Sequence, residues 1–328
     1  MSKQKPRSAF RKVLRWIAWV LLVQFILINI SAALYAYKFT HLYSPEQRKI
    51  DIAKSTSRNI FIKTWKLFSG PRFYKEPEIA TPAFKYTTVA LKTKNNLPLE
   101  GWYGRVDSAS KGTVLLFHNL TGNKAVILEQ ANEFLSWNYN VMLVDVRAHG
   151  NSGGFATTIG YNEAEEVKLA YEYVQQQGEK NIYLWGASLG AVEIIKAVAD
   201  YDLQPKAMIA EMPFRSLQSH LRGRVRLAGF PEQPFSFLVT FWIGVEHGFN
   251  GYGFNSIKYA KEITCPILLQ YGGKDPLVNK KEVEDIYDAL PATNKKLVLY
   301  EDAAHQFLLQ KDPVRWKKEV GDFLTRIR

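Results

Sequence analysis

Gly186-Ala187-Ser188-Leu189-Gly190 sets a serine between two glycines, with the apolar run Ile182 to Trp185 before it and a helical run from Ala191 after it. Strand, tight bend and helix in that order push a hydroxyl out of a strained turn, and the glycines let strand and helix approach closely. A serine hydroxyl is a weak nucleophile until a base removes its proton, so an imidazole is required within hydrogen-bond reach. Among the six histidines, His305 follows the last β-rich run by a few residues, in Tyr300-Glu301-Asp302-Ala303-Ala304-His305. That spacing puts it on a loop at the carboxyl end of a strand, on the same rim as Ser188.

The imidazole in turn needs a carboxylate to orient it and to stabilise its charged form. Asp275, in Gly272-Gly273-Lys274-Asp275-Pro276, follows the seventh run and gives the chain order Ser, Asp, His that such sites use. Asp302 is the rival, but three residues of loop need not carry it to the far ring nitrogen. The oxyanion formed on attack requires backbone N–H donors fixed in advance. Leu189, next to the serine, supplies one. Leu120, in His118-Asn119-Leu120-Thr121-Gly122 after the third run, is chosen for the other, with His118 supporting its loop. His41 lies beside an apolar segment, and His220 and His247 read as packed or solvated side chains. Cys265 is the only cysteine, and the chain has no H-E-x-x-H, Walker loop or G-x-G-x-x-G, so neither a metal nor a cofactor is expected.

These residues need a scaffold that brings distant loops to one rim. From about residue 84, β-rich runs alternate with helical stretches, which is how a sheet with crossover helices is written. The runs are Tyr86 to Leu91, Leu99 to Val106, Thr113 to Phe117, Val141 to Val144, Ile182 to Trp185, Ala207 to Ala210, Ile267 to Tyr271 and Lys296 to Tyr300. The first two read as a hairpin across Asn95-Asn96. The later ones are spaced by stretches such as Glu163 to Gln177 and Ala191 to Ala199, as parallel pairing requires. Between the sixth and seventh runs the chain is too long for a simple crossover, and it is rich in Phe, Gly and Pro. An inserted cap over the site, about residues 212 to 257, is expected there. Its aromatics, Phe230, Phe235, Phe237, Phe241 and Trp242, suit an apolar acyl group, although such side chains more often pack than bind.

The formal net charge of +12 is unevenly spread. Lys3, Lys5, Arg7, Arg11, Lys12 and Arg15 crowd the start of the chain and abut Trp16 to Tyr37, which carries no charge. A helix of that length spans a hydrocarbon core of roughly 30 Å, and Trp16, Trp19, Tyr35 and Tyr37 near its ends suit the two interfaces. The segment therefore reads as a single membrane-spanning helix, residues 16–37, after a basic N-terminus, residues 1–15. The positive-inside rule places that N-terminus in the cytoplasm and the large domain on the exoplasmic or periplasmic side. Ser31-Ala32-Ala33 would also suit a signal peptidase, but apolar residues continue beyond it, which favours an uncleaved signal-anchor. Residues 38–83 form a juxtamembrane segment, read as a connecting helix packed on the domain at 84–328. A basic block against an apolar run argues for lipid rather than nucleic acid, and no nucleic-acid motif is present.

Taken together, these elements resemble the α/β-hydrolase superfamily, and within it serine esterases and lipase-like enzymes such as monoacylglycerol lipases, serine aminopeptidase-like members and membrane-anchored bacterial hydrolases. The resemblance covers roughly residues 84 to 326. Asp145-Val146-Arg147-Ala148-His149-Gly150-Asn151-Ser152 looks like the family's D-x-R-G-H-G-x-S segment, with Ala148 where a glycine is usual. That segment is structural in the family, so Asp145 and His149 are not read as catalytic. Asn119 also replaces the glycine that usually follows the histidine of the oxyanion loop. The resemblance implies an eight-stranded, mostly parallel sheet with flanking helices and a cap. It further implies hydrolysis of a small-molecule ester or thioester, lipid-like in character, through an acyl-serine. A peptidase or amidase with the same triad, and a non-catalytic binding protein on the same scaffold, are the alternatives.

Overall fold

The computed structural model describes residues 7–55, 60–229 and 231–327; Lys3, Lys5 and Phe230 lie outside them. The chain opens with α1 (Arg7–Thr40), β1 (Leu42–Tyr43), α2 (Pro45–Ser55), α3 (Ile60–Ser69) and β2 (Phe73–Tyr74). Among the described residues the juxtamembrane segment, read from sequence as a connecting helix, holds α2 and α3, and β1 and β2 pair in parallel beside them.

Eight strands then form one sheet: β3 (Tyr86–Lys92), β4 (Pro98–Gly104), β5 (Thr113–Phe117), β6 (Asn140–Asp145), β7 (Ile182–Ala187), β8 (Ala207–Glu211), β9 (Ile267–Gly272) and β10 (Lys295–Tyr300). Their spatial order is β10-β9-β8-β7-β5-β6-β4-β3. Only β4 runs against its neighbours; the other contacts are parallel. The β3–β4 hairpin turns at Asn96, whose φ of 63° is a left-handed conformation that asparagine tolerates well.

The central strands are apolar at nearly every position because both faces are covered. In β5 and β7, Leu115, Phe117, Ile182 and Leu184 join the core on one face, and Val114, Leu116, Tyr183 and Trp185 the core on the other. The crossover helices are α4 (Leu128–Ser136), α5 (Ala164–Gln176) and α6 (Leu189–Tyr201). Between β8 and β9 lie α7 (Leu217–Leu227), α8 (Phe235–His247) and α9 (Ser256–Ala260); α10 (Lys280–Ala289), α11 (Leu308–Lys311) and α12 (Pro313–Arg326) complete the chain. Parallel strands with crossovers put the carboxyl ends of β5, β7, β8, β9 and β10 on one rim, where ligands of such sheets bind.

The N-terminal helix has two unlike parts. From Phe10 to Ile30, roughly 30 Å at about 1.5 Å per residue, its side chains are almost all exposed. From Ser31 to Thr40 it is built into the domain: Ala32, Ala36 and Phe39 are buried, and the helix packs along α8. Small residues at 32 and 36 let the two backbones approach. Tyr35 meets Phe235 edge to face at 5.4 Å, and Lys38 Nζ donates to Ser69 Oγ at 2.5 Å. One helix among the described residues, Phe10–Thr40, is long and apolar enough to cross a membrane.

Glu193, on the second turn of α6, is fully buried, and neither carboxylate oxygen has a hydrogen-bond partner. Burial first, then Glu163 and Glu166, hold its pKa well above the usual carboxylate range. The fold therefore keeps it protonated while the unfolded chain ionises it. A raised folded pKa contributes stability that is complete below the unfolded pKa and is lost as pH rises towards the folded one. Glu193→Met is expected to stabilise the protein by about 1–3 kcal/mol at pH 8, and by less at pH 5. Thermal unfolding at the two pH values measures it.

Candidate active site

Ser188 sits at the end of β7 with φ 54° and ψ −105°, a conformation that non-glycine residues rarely adopt and that costs on the order of 1–3 kcal/mol. The bend survives because its neighbours have no side chain to obstruct it. A Cβ on Gly186 would lie 2.4 Å from the backbone of Gly190, and one on Gly190 would lie 2.3 Å from the carbonyl oxygen of Phe117. The Ser188 N–H donates to the carbonyl of Glu211 at 2.7 Å, tying the bend to the neighbouring strand.

His305 Nε2 lies 2.8 Å from Ser188 Oγ, and His305 Nδ1 lies 2.7 Å from Asp275 Oδ2. The structure thus brings together three residues from loops after β7, β9 and β10. Asp275 Oδ1 accepts from the N–H groups of Leu277 and Val278 at 2.8 and 2.9 Å, which fixes the carboxylate so that Oδ2 faces the ring. With Nδ1 donating to Asp275, Nε2 is left as an acceptor facing the Ser188 hydroxyl. The two loops press together through Gly272 and Gly273: a Cβ on the first would meet Ala303 O at 2.4 Å, and on the second Glu301 O at 2.7 Å. Asp302, the rival acid, is largely exposed and binds Lys274 instead.

Leu189 begins α6, so its N–H has no partner within the helix. The Leu120 loop is held on both of its peptide planes. His118 Nδ1 and the Gly122 N–H both donate to the Asn119 carbonyl, at 2.7 and 3.1 Å. In a trans peptide the Leu120 N–H then points the opposite way. The Val146 N–H donates to His118 Nε2 at 3.4 Å, which leaves the proton on Nδ1; burial pushes this histidine down to about 4, so it stays neutral. His149 bridges two carbonyl groups, with Nε2 2.6 Å from Leu120 O and Nδ1 2.8 Å from Arg147 O, and burial lowers its pKa too. Asn119 fits because its side chain folds over Gly122, where a Cβ would lie 2.4 Å from Asn119 Oδ1. Ala148, in the glycine position of its motif, adopts φ 66°, the left-handed region that glycine enters more cheaply.

The end of β6 and the segment after it carry a buried polar support. Asp145 accepts from the Lys124 N–H, Lys124 Nζ and the Asn151 N–H, at 2.6, 2.6 and 2.9 Å. Glu163 accepts from Thr157, Thr158 and Gly160. Sequence reasoning missed Glu211, whose carboxylate accepts both indole N–H groups, Trp185 at 3.1 Å and Trp316 at 2.5 Å, directly beneath the serine bend. Burial raises its pKa to about 7. A charged residue closing the apolar run AMIAE was the available signal. His220 is packed between Phe214 and Phe39, with ring centroids 4.6 and 5.9 Å away. His41 and His247 stack at 5.7 Å near Glu246.

Residues 108–236 and 255–312 match the family described as serine aminopeptidase, S33. The Bacillus subtilis protein YqkD, described as uncharacterized, is 25% identical over 222 residues, covering 66% of this chain and 72% of that one. The lysophosphatidylserine lipase ABHD12 of Danio rerio is 26% identical over 208 residues, covering 60% of this chain and 51% of its own length. The chain therefore spans about half of that relative. Among solved structures, the Pyrococcus furiosus esterase Pf2001 superposes with a TM-score of 0.64 at 28% identity, covering 78% of this chain and 99% of the esterase. Sheet order, rim geometry and these matches together make the chain a member of the serine aminopeptidase S33 family, an α/β-hydrolase of the esterase and lipase-like kind.

Proposed function

We propose that this chain is a membrane-anchored serine hydrolase that cleaves carboxylic ester or thioester bonds through an acyl-serine intermediate. The relay from Asp275 through His305 to Ser188, at 2.7 and 2.8 Å, carries this reading. His305 Nε2 takes the proton as Ser188 Oγ attacks the substrate carbonyl carbon. The negative oxygen is met by the N–H groups of Leu189 and Leu120. Collapse expels the alcohol or thiol, which receives the proton from His305. Water, deprotonated by the same nitrogen, then releases the acid and restores the serine.

The lipase and esterase relatives support a lipid-like acyl ester, and the exposed apolar length of α1 supports an anchor. Arg11, Lys12 and Arg15 at its start support a cytoplasmic N-terminus with the hydrolase domain across the membrane. The family's description as a serine aminopeptidase favours a second reading, amide cleavage by the same residues. Matched acyl p-nitrophenyl esters and p-nitroanilides separate the two. Turnover of the esters at least 100-fold faster supports the first reading, and the reverse order overturns it. Full-length protein should stay in the pellet after carbonate extraction; release into the supernatant removes the anchor.

A further inference from the structure

α3 is an apolar helix that the domain leaves uncovered. Ser69 is its one buried residue, while Ile60 is 65% exposed, Phe61 80%, Trp65 56% and Leu67 64%. At about 3.6 residues per turn, these four and Phe68 fall on one side of the helix, and Lys63 and Lys66 fall on the other. Left in water, such a side forgoes the burial that stabilises most helices of folded domains, and a contiguous apolar patch marks a surface that meets something else.

Where α3 is fastened decides what that side meets. Ser31 Oγ donates to the carbonyl of Phe68, and Lys38 Nζ donates to Ser69 Oγ and to the Gly70 carbonyl, at 2.5 and 3.3 Å. Gly70, with φ 78°, comes so close to α1 that a Cβ there would lie 2.3 Å from the Tyr35 ring. Ser31 is also where the exposed length of α1, Phe10 to Ile30, gives way to the packed one. The exposed apolar residues of α3 therefore begin where those of α1 end. Between α1, α2 and α3 lies a cleft of about 990 Å³, lined by Ile52, Phe61 and Trp65 and by Lys38, Lys63 and Lys66 among others. Its one carboxylate, Asp51, is already bound by Arg72 at 2.8 Å and by the Tyr74 hydroxyl at 2.9 Å, so the free charge there is positive. Apolar side chains that include a tryptophan, with lysines beside them, suit the boundary between the headgroups and acyl chains of an anionic bilayer.

We propose that α3 is a second membrane contact, which seats its apolar side in the bilayer surface and so fixes the height and tilt of the hydrolase domain beside the span of α1. A second copy of the chain would cover the same side chains, but it gives no reason for them to start at the end of the exposed run of α1. The inference rests on the anchor reading given above, and its test reads the two separately. Full-length Cys265→Ser protein in vesicles of phosphatidylcholine and phosphatidylglycerol carries one nitroxide, on a cysteine introduced by Val23→Cys in α1, Leu67→Cys in α3 or Val314→Cys in α12, all three exposed positions. Oxygen concentrates among acyl chains and a nickel chelate in water, so the ratio of their collision rates with the label reads its depth. The ratio at 67 should exceed that at 314 several-fold and fall below that at 23, as expected about 5–10 Å into the boundary. Phe61→Asp combined with Trp65→Asp should bring 67 back towards 314 and leave 23 unchanged; the label in the otherwise native helix decides the matter alone if the aspartates unfold the chain. A ratio at 67 equal to that at 314, with 23 shielded from nickel, overturns this inference and leaves the anchor standing, and water access at both 23 and 67 overturns both. Shielding at 67 with water access at 23 keeps the surface contact and removes the span. Low collision with oxygen and nickel alike at 67 marks burial against protein and overturns the proposal, as does a label that stays among the acyl chains in the folded aspartate variant.

Discussion

Ser188→Ala is expected to lower kcat on a p-nitrophenyl acyl ester by roughly four to six orders of magnitude while the protein stays folded. Among the described residues, His305 Nε2 bonds the Ser188 hydroxyl, at 2.8 Å, so its removal leaves the imidazole with no side-chain nucleophile to activate. Whatever rate persists comes from oxyanion donors and binding, with water attacking directly. The backbone at 188 is held by its neighbours, through the Glu211 carbonyl and the close approach of Gly190 to Phe117, and alanine occupies the same space. Folding should be unaffected, and circular dichroism alongside the kinetics separates loss of chemistry from loss of structure.

The second large effect belongs to the acid. Asp275→Asn should lower kcat by about 10⁴-fold, because an amide nitrogen can take the place of the acceptor that His305 Nδ1–H needs. The ring then has reason to hold its proton on Nε2, where it cannot accept one from serine. Asp302→Asn is the control. Asp302 is exposed and bonded to Lys274, and its replacement should leave kcat within about twofold. A comparable loss in both variants, measured on the same ester, would contradict the assignment of Asp275.

The strands and the serine bend were legible because their signals are local. Burial on both faces writes β5 and β7 as unbroken apolar runs, and the steric demand of the bend writes glycine at 186 and 190. The meeting of Ser188, Asp275 and His305 followed from one rule, that parallel strands send their carboxyl ends to a common rim. Contacts between elements far apart in sequence were harder to see. Glu211 carries no periodic signature; its role depends on two tryptophans from β7 and α12 converging on it. Nor does composition divide α1 into an exposed length and a packed one. Ala32 and Ala36 look like any small residues in an apolar helix until α8 lies against them.

The departures from the family's motifs have local explanations too. Asn119 is accommodated because Gly122 leaves room for its side chain, and the carbonyl of residue 119 still receives His118 Nδ1. The Leu120 peptide therefore keeps a fixed orientation without a glycine at 119. His149 holds the next carbonyl, so two histidines outside the proposed triad determine how that loop is presented.

Trapping the covalent intermediate tests the account most directly. Full-length protein treated with a fluorophosphonate and digested should yield one modified active-site peptide, with the adduct on Ser188, and labelling should fall sharply in His305→Ala. An adduct on another residue, or an unlabelled Ser188 in protein that still turns over ester, would contradict it.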